Sequence, residues 1–180
     1  VEYAPGLFLD LYTPAGDMVT NRPVMIVASG GGFIEQDREA VEPIAEAFAR
    51  RGYVAATIDY RVLGRSPANS DDLAIAGIEA THDMFAAVRF FRADAEGSNT
   101  FGVRADAVFV AGESAGGVMA AIAAILVTVP WFILMAYLHW DVLVAEFVGD
   151  QITSKVRAGV TTVLAGIGTT TGSLFLLALP

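Results

Sequence analysis

Residues 112–117, Gly-Glu-Ser-Ala-Gly-Gly, constrain the fold of this chain more than any other stretch. They follow an apolar run, Ala107-Val108-Phe109-Val110-Ala111, and open an Ala-rich helical stretch from Val118 to Leu126. A serine that leaves a strand on a sharp turn into a helix takes a strained backbone angle. Its neighbours two residues away then have to be small to clear the next helix and strand. Gly112, Gly116 and Gly117 meet that demand. Such a turn lifts the Ser114 hydroxyl clear of the sheet and aims the Ala115 amide, at the helix start, toward whatever Ser114 attacks. The alternative is a Gly-rich strand–helix turn with an idle serine.

A second element lies upstream. Residues 23–33 read Pro-Val-Met-Ile-Val-Ala-Ser-Gly-Gly-Gly-Phe, a buried-type strand ending in three glycines and an aromatic residue. A glycine triplet lets backbone pass close to a ligand and present amide donors, which is what the negative oxygen of a tetrahedral intermediate requires. Alone, Gly30-Gly31-Gly32 reads as a loop. Ahead of the elbow, it gives the order of oxyanion loop first and nucleophile next.

With these motifs the chain resembles the α/β-hydrolases, in the bacterial carboxylesterase and lipase branch that carries a His-Gly-Gly-Gly loop and a Gly-x-Ser-Ala-Gly-Gly elbow. Further landmarks are 9–14 (Leu-Asp-Leu-Tyr-Thr-Pro), 52–61 (Gly-Tyr-Val-Ala-Ala-Thr-Ile-Asp-Tyr-Arg), His82-Asp83, 86–92 and Phe101-Gly102-Val103. The resemblance covers roughly residues 1–127. Ser29 stands where the family usually has the His that orients the loop. The resemblance implies a serine carboxylic ester hydrolase with Ser114 as nucleophile. It places the oxyanion hole at Gly30, Gly31 and the Ala115 amide, and Phe33 beside an acyl or alcohol pocket. It implies a small-molecule ester substrate and no cofactor.

Composition narrows the alternatives. At 180 residues the chain can bury a core, yet it is short for a fold that runs to about 250 residues or above. A net charge of −9 and the lack of any Lys/Arg run argue against nucleic acid. With no cysteine, disulfides and thiolate metal sites are excluded. No metal spacing such as His-x-x-x-His occurs, and Glu35, Asp37 and Glu39 read as a solvated acidic loop. The N-terminal residues 1–5 show no signal-peptide pattern. Charge thins sharply after the elbow: only Asp141, Glu146, Asp150, Lys155 and Arg157 follow it. That leaves two uncharged tracts, 114–140 and 158–180.

Along 1–113, short apolar runs alternate with helical patterns, which implies a mainly parallel sheet. Leu7 to Tyr12 is expected as an edge strand, with Val24 to Ala28, Val54 to Ile58 and Val108 to Ala111 as the other strands. Glu39 to Arg51 is expected as a helix with Val41, Ile44, Ala45 and Phe48 inward. Leu73 to Ala95 is another, capped by Asp71 or Asp72, with Ile78, Met84, Phe85, Val88 and Phe91 largely inward. Gly116 to Leu126 is the helix after the elbow, and Pro130 is expected to start a new element.

The fold expectation is therefore a partial α/β-hydrolase fold over 1–127, followed over 128–180 by an apolar, helical segment. Residues 116–140 and 158–180 are each long and uncharged enough to span a bilayer, with Trp131, Tyr137 and Trp140 suited to an interface. The second tract is the better candidate for membrane contact, since Gly116 to Leu126 is needed behind the sheet. Its alternative is a core strand or helix pair.

The base is the missing part. In this fold the order is Ser, then Asp or Glu, then His. After Ser114 the only histidine is His139, and it precedes Asp141, Glu146 and Asp150. His82 lies about three turns into the helix that starts at Leu73. His82 and His139 are the two candidate bases, and neither fits the family order. A serine without a base is a weak nucleophile. The rival expectation is thus an inactive or truncated hydrolase fragment serving as a membrane-anchored or interaction protein. A misjoin of the reading frame near residue 127 would also end the resemblance there.

Overall fold

A computed structural model describes residues 1–16 and 19–144. The chain divides into two compact units, Val1–Val127 and Thr128–Pro180. In the first, five strands form one sheet in the order β1-β2-β4-β3-β5. They are β1 (Glu2–Ala4), β2 (Leu7–Tyr12), β3 (Arg22–Ala28), β4 (Val54–Ile58) and β5 (Val103–Gly112). Among the described residues of the chain the helices are α1 (Glu42–Ala49), α2 (Ser70–Glu96), α3 (Ala115–Leu138) and α4 (Trp140–Leu143).

The sheet is mixed, which corrects the mainly parallel expectation. β3 runs parallel to β4 and β5, but β2 is antiparallel to both β1 and β4. The cause is local. Pro5-Gly6 joins β1 to β2 with too short a link for a crossover, so the pair can only be antiparallel. β2 is accordingly interior rather than an edge. The edges are β1, too short to read from sequence, and β5.

Period-two alternation sorts the side chains of β3 and β4. Val24, Ile26 and Ala28 of β3 and Val54, Ala56 and Ile58 of β4 face one side, with Met84, Ala87 and Phe91 of α2 and Met119 and Ala123 of α3. Val27 and Ala55 face the other, with Val41 and Ala45. With both faces covered, every residue of β4 is buried, the reason its sequence is apolar throughout.

The first expected helix splits. A 3-10 turn, Arg38–Val41, precedes α1, because Pro43 near the start of α1 cannot donate to the preceding turn. Ile44 is exposed rather than inward. Helix α2 is capped by Asn69, whose side chain accepts from the Asp72 amide, rather than by either aspartate. Ile78 is exposed rather than inward, whereas Met84 and Phe91 are fully buried. Pro130 lies inside α3 and starts nothing new. Its missing N–H costs one helical hydrogen bond, and the apolar run continues past it.

The buried residues of α3 are Ala115, Gly116, Met119 and Ala123, a narrow stripe at helical spacing. From Ile125 to Leu138 nearly every large apolar side chain of α3 is exposed. Ala115–Leu138, at mean hydropathy 2.5, is long and apolar enough to cross a membrane. Tract 158–180 lies outside the described residues.

Candidate active site

Strand β5 ends at Gly112 and α3 begins at Ala115, so only Glu113 and Ser114 make the turn. Ser114 has φ 50°, a left-handed angle that is uncommon for a non-glycine residue and costs free energy. The turn is held on three sides. The Glu113 amide donates to the Ala28 carbonyl at the end of β3, at 3.1 Å. The Gly116 amide donates to Glu113 O and the Val118 amide to Ser114 O. A Cβ at Gly112 would lie 2.3 Å from the Gly116 carbonyl carbon, and one at Gly116 would lie 2.2 Å from Ala28 O. Strand, turn and helix thus meet where only glycine fits, and the Ser114 side chain is left exposed.

The segment after β3 runs against this turn. A Cβ at Gly30 would sit 3.2 Å from Ser114 Cβ. Gly31 has φ 123°, and a side chain there would collide with Glu35 O at 2.0 Å. The Gly31 carbonyl accepts from the Ile34 and Glu35 amides. Ser29 is buried, and its hydroxyl accepts from the Asp37 amide at 3.1 Å, closing the base of the loop. The amides of Gly30, Gly31 and Ala115 donate to no acceptor among the described residues. Ser29, Gly30, Gly31, Gln36, Ala40 and Ser114, together with the carboxylates Glu35, Asp37 and Glu113, line a cleft of about 470 Å³.

Charged groups anchor the loop from beneath. Asp59, at the end of β4, is 9 % exposed. It accepts two bonds from Arg38 Nη1, at 2.8 and 2.9 Å, and one from Gln36 Nε2 at 2.9 Å. Arg38 Nε also donates to Asp10 of β2. The carboxylates of Asp59 and then Asp10 push the Arg38 guanidinium above its ordinary value, so the clamp stays charged. Two residues on, Arg61 pairs with Asp83 of α2 through Nε and Nη2, and its amide donates to Asp83 Oδ2. Asp83, buried at 5 % exposure, is thereby a structural anchor for the chain leaving β4. Between them Tyr60 is buried, and its hydroxyl donates to the carbonyls of Ser29 and Gly30, both at 2.9 Å. Nothing in the sequence assigns Tyr60 a role; its only signal is its place at a strand end between two charged residues.

His82 is exposed on α2 and does not line the cleft. His139 is exposed in the second unit, where it is the N-terminal cap of α4. Phe33 is not part of the cleft lining either. Its ring lies against Gly77 of α2.

No curated protein sequence matches the chain. Among solved structures, a thermophilic esterase from the Planctomycetes species Thermogutta terrifontis, bound to propionate, matches with a TM-score of 0.53 and 30 % identity over 64 % of this chain and 39 % of that one. Esterase 2 of Thermogutta terrifontis phosphorylated by paraoxon matches with the same TM-score at 29 % identity, over 64 % of this chain and 41 % of that one. The chain therefore spans well under half the length of these esterases. The fold is that of an α/β-hydrolase esterase, in the part the chain covers. The BD-FAE family model matches residues 9–148, and the chain belongs to the BD-FAE family.

Proposed function

We propose that the protein is a serine carboxylic ester hydrolase acting on small-molecule esters through Ser114. One observation carries this reading: an exposed serine held at φ 50° on a two-residue strand-to-helix turn, beside a loop whose Gly30 and Gly31 amides donate to no acceptor among the described residues. Ser114 Oγ attacks the ester carbonyl carbon. The carbonyl oxygen takes on negative charge, which the amides of Gly30, Gly31 and Ala115 receive. Collapse of the intermediate breaks the bond to the alcohol, which leaves with the proton given up by Ser114 Oγ. Water then releases the acid from Ser114. No cofactor takes part. The likeness to esterases, one of them bound to propionate, supports the substrate class.

His82 does not line the cleft, and the first unit supplies no other histidine as a base. Without one, the loop and binding alone give roughly 10³–10⁴-fold over water. Turnover of p-nitrophenyl acetate and butyrate by purified protein, beside Ser114→Ala, tests the proposal. Serine-dependent turnover supports it, and identical rates in the two proteins refute it.

A second reading has its own observation. From Ile125 to Leu138, α3 is uncharged, and its large apolar side chains are mostly exposed. This favours an inactive, membrane-associated hydrolase fragment, in which 128–180 forms the apolar tail. Co-sedimentation of the full chain with phosphatidylcholine vesicles tests the membrane contact, and the Ser114→Ala comparison tests the inactivity.

A further inference from the structure

Tyr60 is 2 % exposed, and its hydroxyl donates to two consecutive carbonyls, Ser29 O and Gly30 O. Among the described residues no peptide bond is cis. In a planar trans peptide the C=O and the N–H of one unit point in opposite directions. The two units held by Tyr60 are the ones that carry the N–H groups of Gly30 and Gly31. Drawing both carbonyls toward a buried hydroxyl turns both N–H groups away from it, to the side where Gly30, Gly31 and Ser114 line the cleft.

The loop needs such a tie. Gly31, Gly32 and Phe33 have φ of 123°, 63° and 62°, so no strand ladder fixes their peptides. Glycine backbone left to itself samples many orientations. Burial pushes the Tyr60 phenol up, so it remains a proton donor at neutral pH.

We propose that Tyr60 is the positioning residue of the oxyanion loop, its hydroxyl orienting the Ser29–Gly30 and Gly30–Gly31 peptides so that both amides face the cleft before substrate arrives. The catalytic consequence rests on the ester hydrolase reading of Ser114, whereas the loop geometry does not.

Tyr60→Phe keeps the ring and removes only the hydroxyl. In the full chain labelled with ¹⁵N and ¹³C, the variant is expected to shift the Ser29 and Gly30 carbonyl resonances. It also lowers the Gly30 and Gly31 amide order parameters from rigid values to below about 0.6, while amides of β3 and β4 keep theirs. Unchanged order at Gly30 and Gly31 overturns the proposal. For p-nitrophenyl butyrate, kcat falls about 10-fold or more at unchanged KM, short of the ~10²–10³ that loss of a whole donor costs. An unchanged kcat with a lowered Tm assigns Tyr60 to packing alone and overturns the proposal. If the wild-type chain shows no serine-dependent turnover, the hydrolase reading fails and the order parameters still decide the loop's tie. If Tyr60→Phe does not fold, the wild type decides. A buried hydroxyl held by two carbonyls exchanges slowly enough to give its own proton resonance close to Gly30, and its absence refutes the assignment.

Discussion

Gly116→Ala sets two physical effects against each other. Alanine is the better helix former by at most about 1 kcal/mol, so propensity alone predicts stabilisation of α3. Packing predicts the reverse. The new methyl would lie 2.2 Å from Ala28 O, 2.7 Å from Ala28 C and 2.8 Å from Ser29 O. All three are backbone atoms, and Cβ contacts below 3.0 Å are essentially never seen. The helix start and the end of β3 would have to part by most of an ångström. Overpacking of this kind costs about 1–3 kcal/mol and occasionally more. The upper end applies because Ala28 O also accepts the Glu113 amide, and its displacement loosens the turn. The net expectation is a loss of about 2 kcal/mol or more. Gly77→Ala is the internal control. There the nearest atoms to the methyl belong to the Phe33 ring, at 3.5 Å, which is ordinary contact. That variant is expected to be neutral or up to about 1 kcal/mol more stable. Urea unfolding followed by far-UV circular dichroism, at equal m-values, reads both. Gly116→Ala as stable as wild type would refute the argument that turn, helix and β3 meet there without room for a side chain.

Other expectations follow from the anchors of the site. Asp83→Asn removes the charge that Arg61 pairs with and is expected to cost about 1–3 kcal/mol in urea unfolding, with Arg61's half-exposed side chain keeping the loss below that of a fully buried pair. Arg38→Met removes the bonds to Asp59 and Asp10 and is expected to raise amide exchange across residues 34–38, with β4 unaffected. Burial first, then the charges of Asp83 and Asp59, push the Tyr3 phenol well up, and burial also raises Tyr60. A raised folded-state value means the unfolded chain loses these protons first. Their stabilisation is therefore complete below about pH 10, the ordinary tyrosine value, and falls as pH rises above it. Tm is expected to drop as pH rises from about 10 to 12, and less so in Tyr3→Phe. An equal drop in that variant would assign the loss to other groups.

The strand-to-helix turn at Ser114 was legible because its requirement is local: small residues at fixed offsets from a serine at positive φ, between a strand and a helix. Strand β4 was legible to the residue because it is buried on both faces and bounded by Gly52-Tyr53 and Asp59. The antiparallel edge was not, since β1 is three residues long and its pairing depends on a turn rather than on a hydrophobic period. The exposure of Ile44 and Ile78 depends on how far each helix face extends beyond the sheet, which periodicity does not encode. Tyr60, Arg38 and Asp59 act through partners distant in sequence, and a single residue type announces no such network. Pro130 marks where a helix costs more, not where it ends.

The measurement that bears most directly on Ser114 as nucleophile is peptide mapping by mass spectrometry after treatment of the full chain with paraoxon. The account predicts a diethyl phosphoryl group on the peptide that carries Ser114, and none on that peptide in Ser114→Ala. Absence of modification, or modification at another residue with Ser114 untouched, would contradict it.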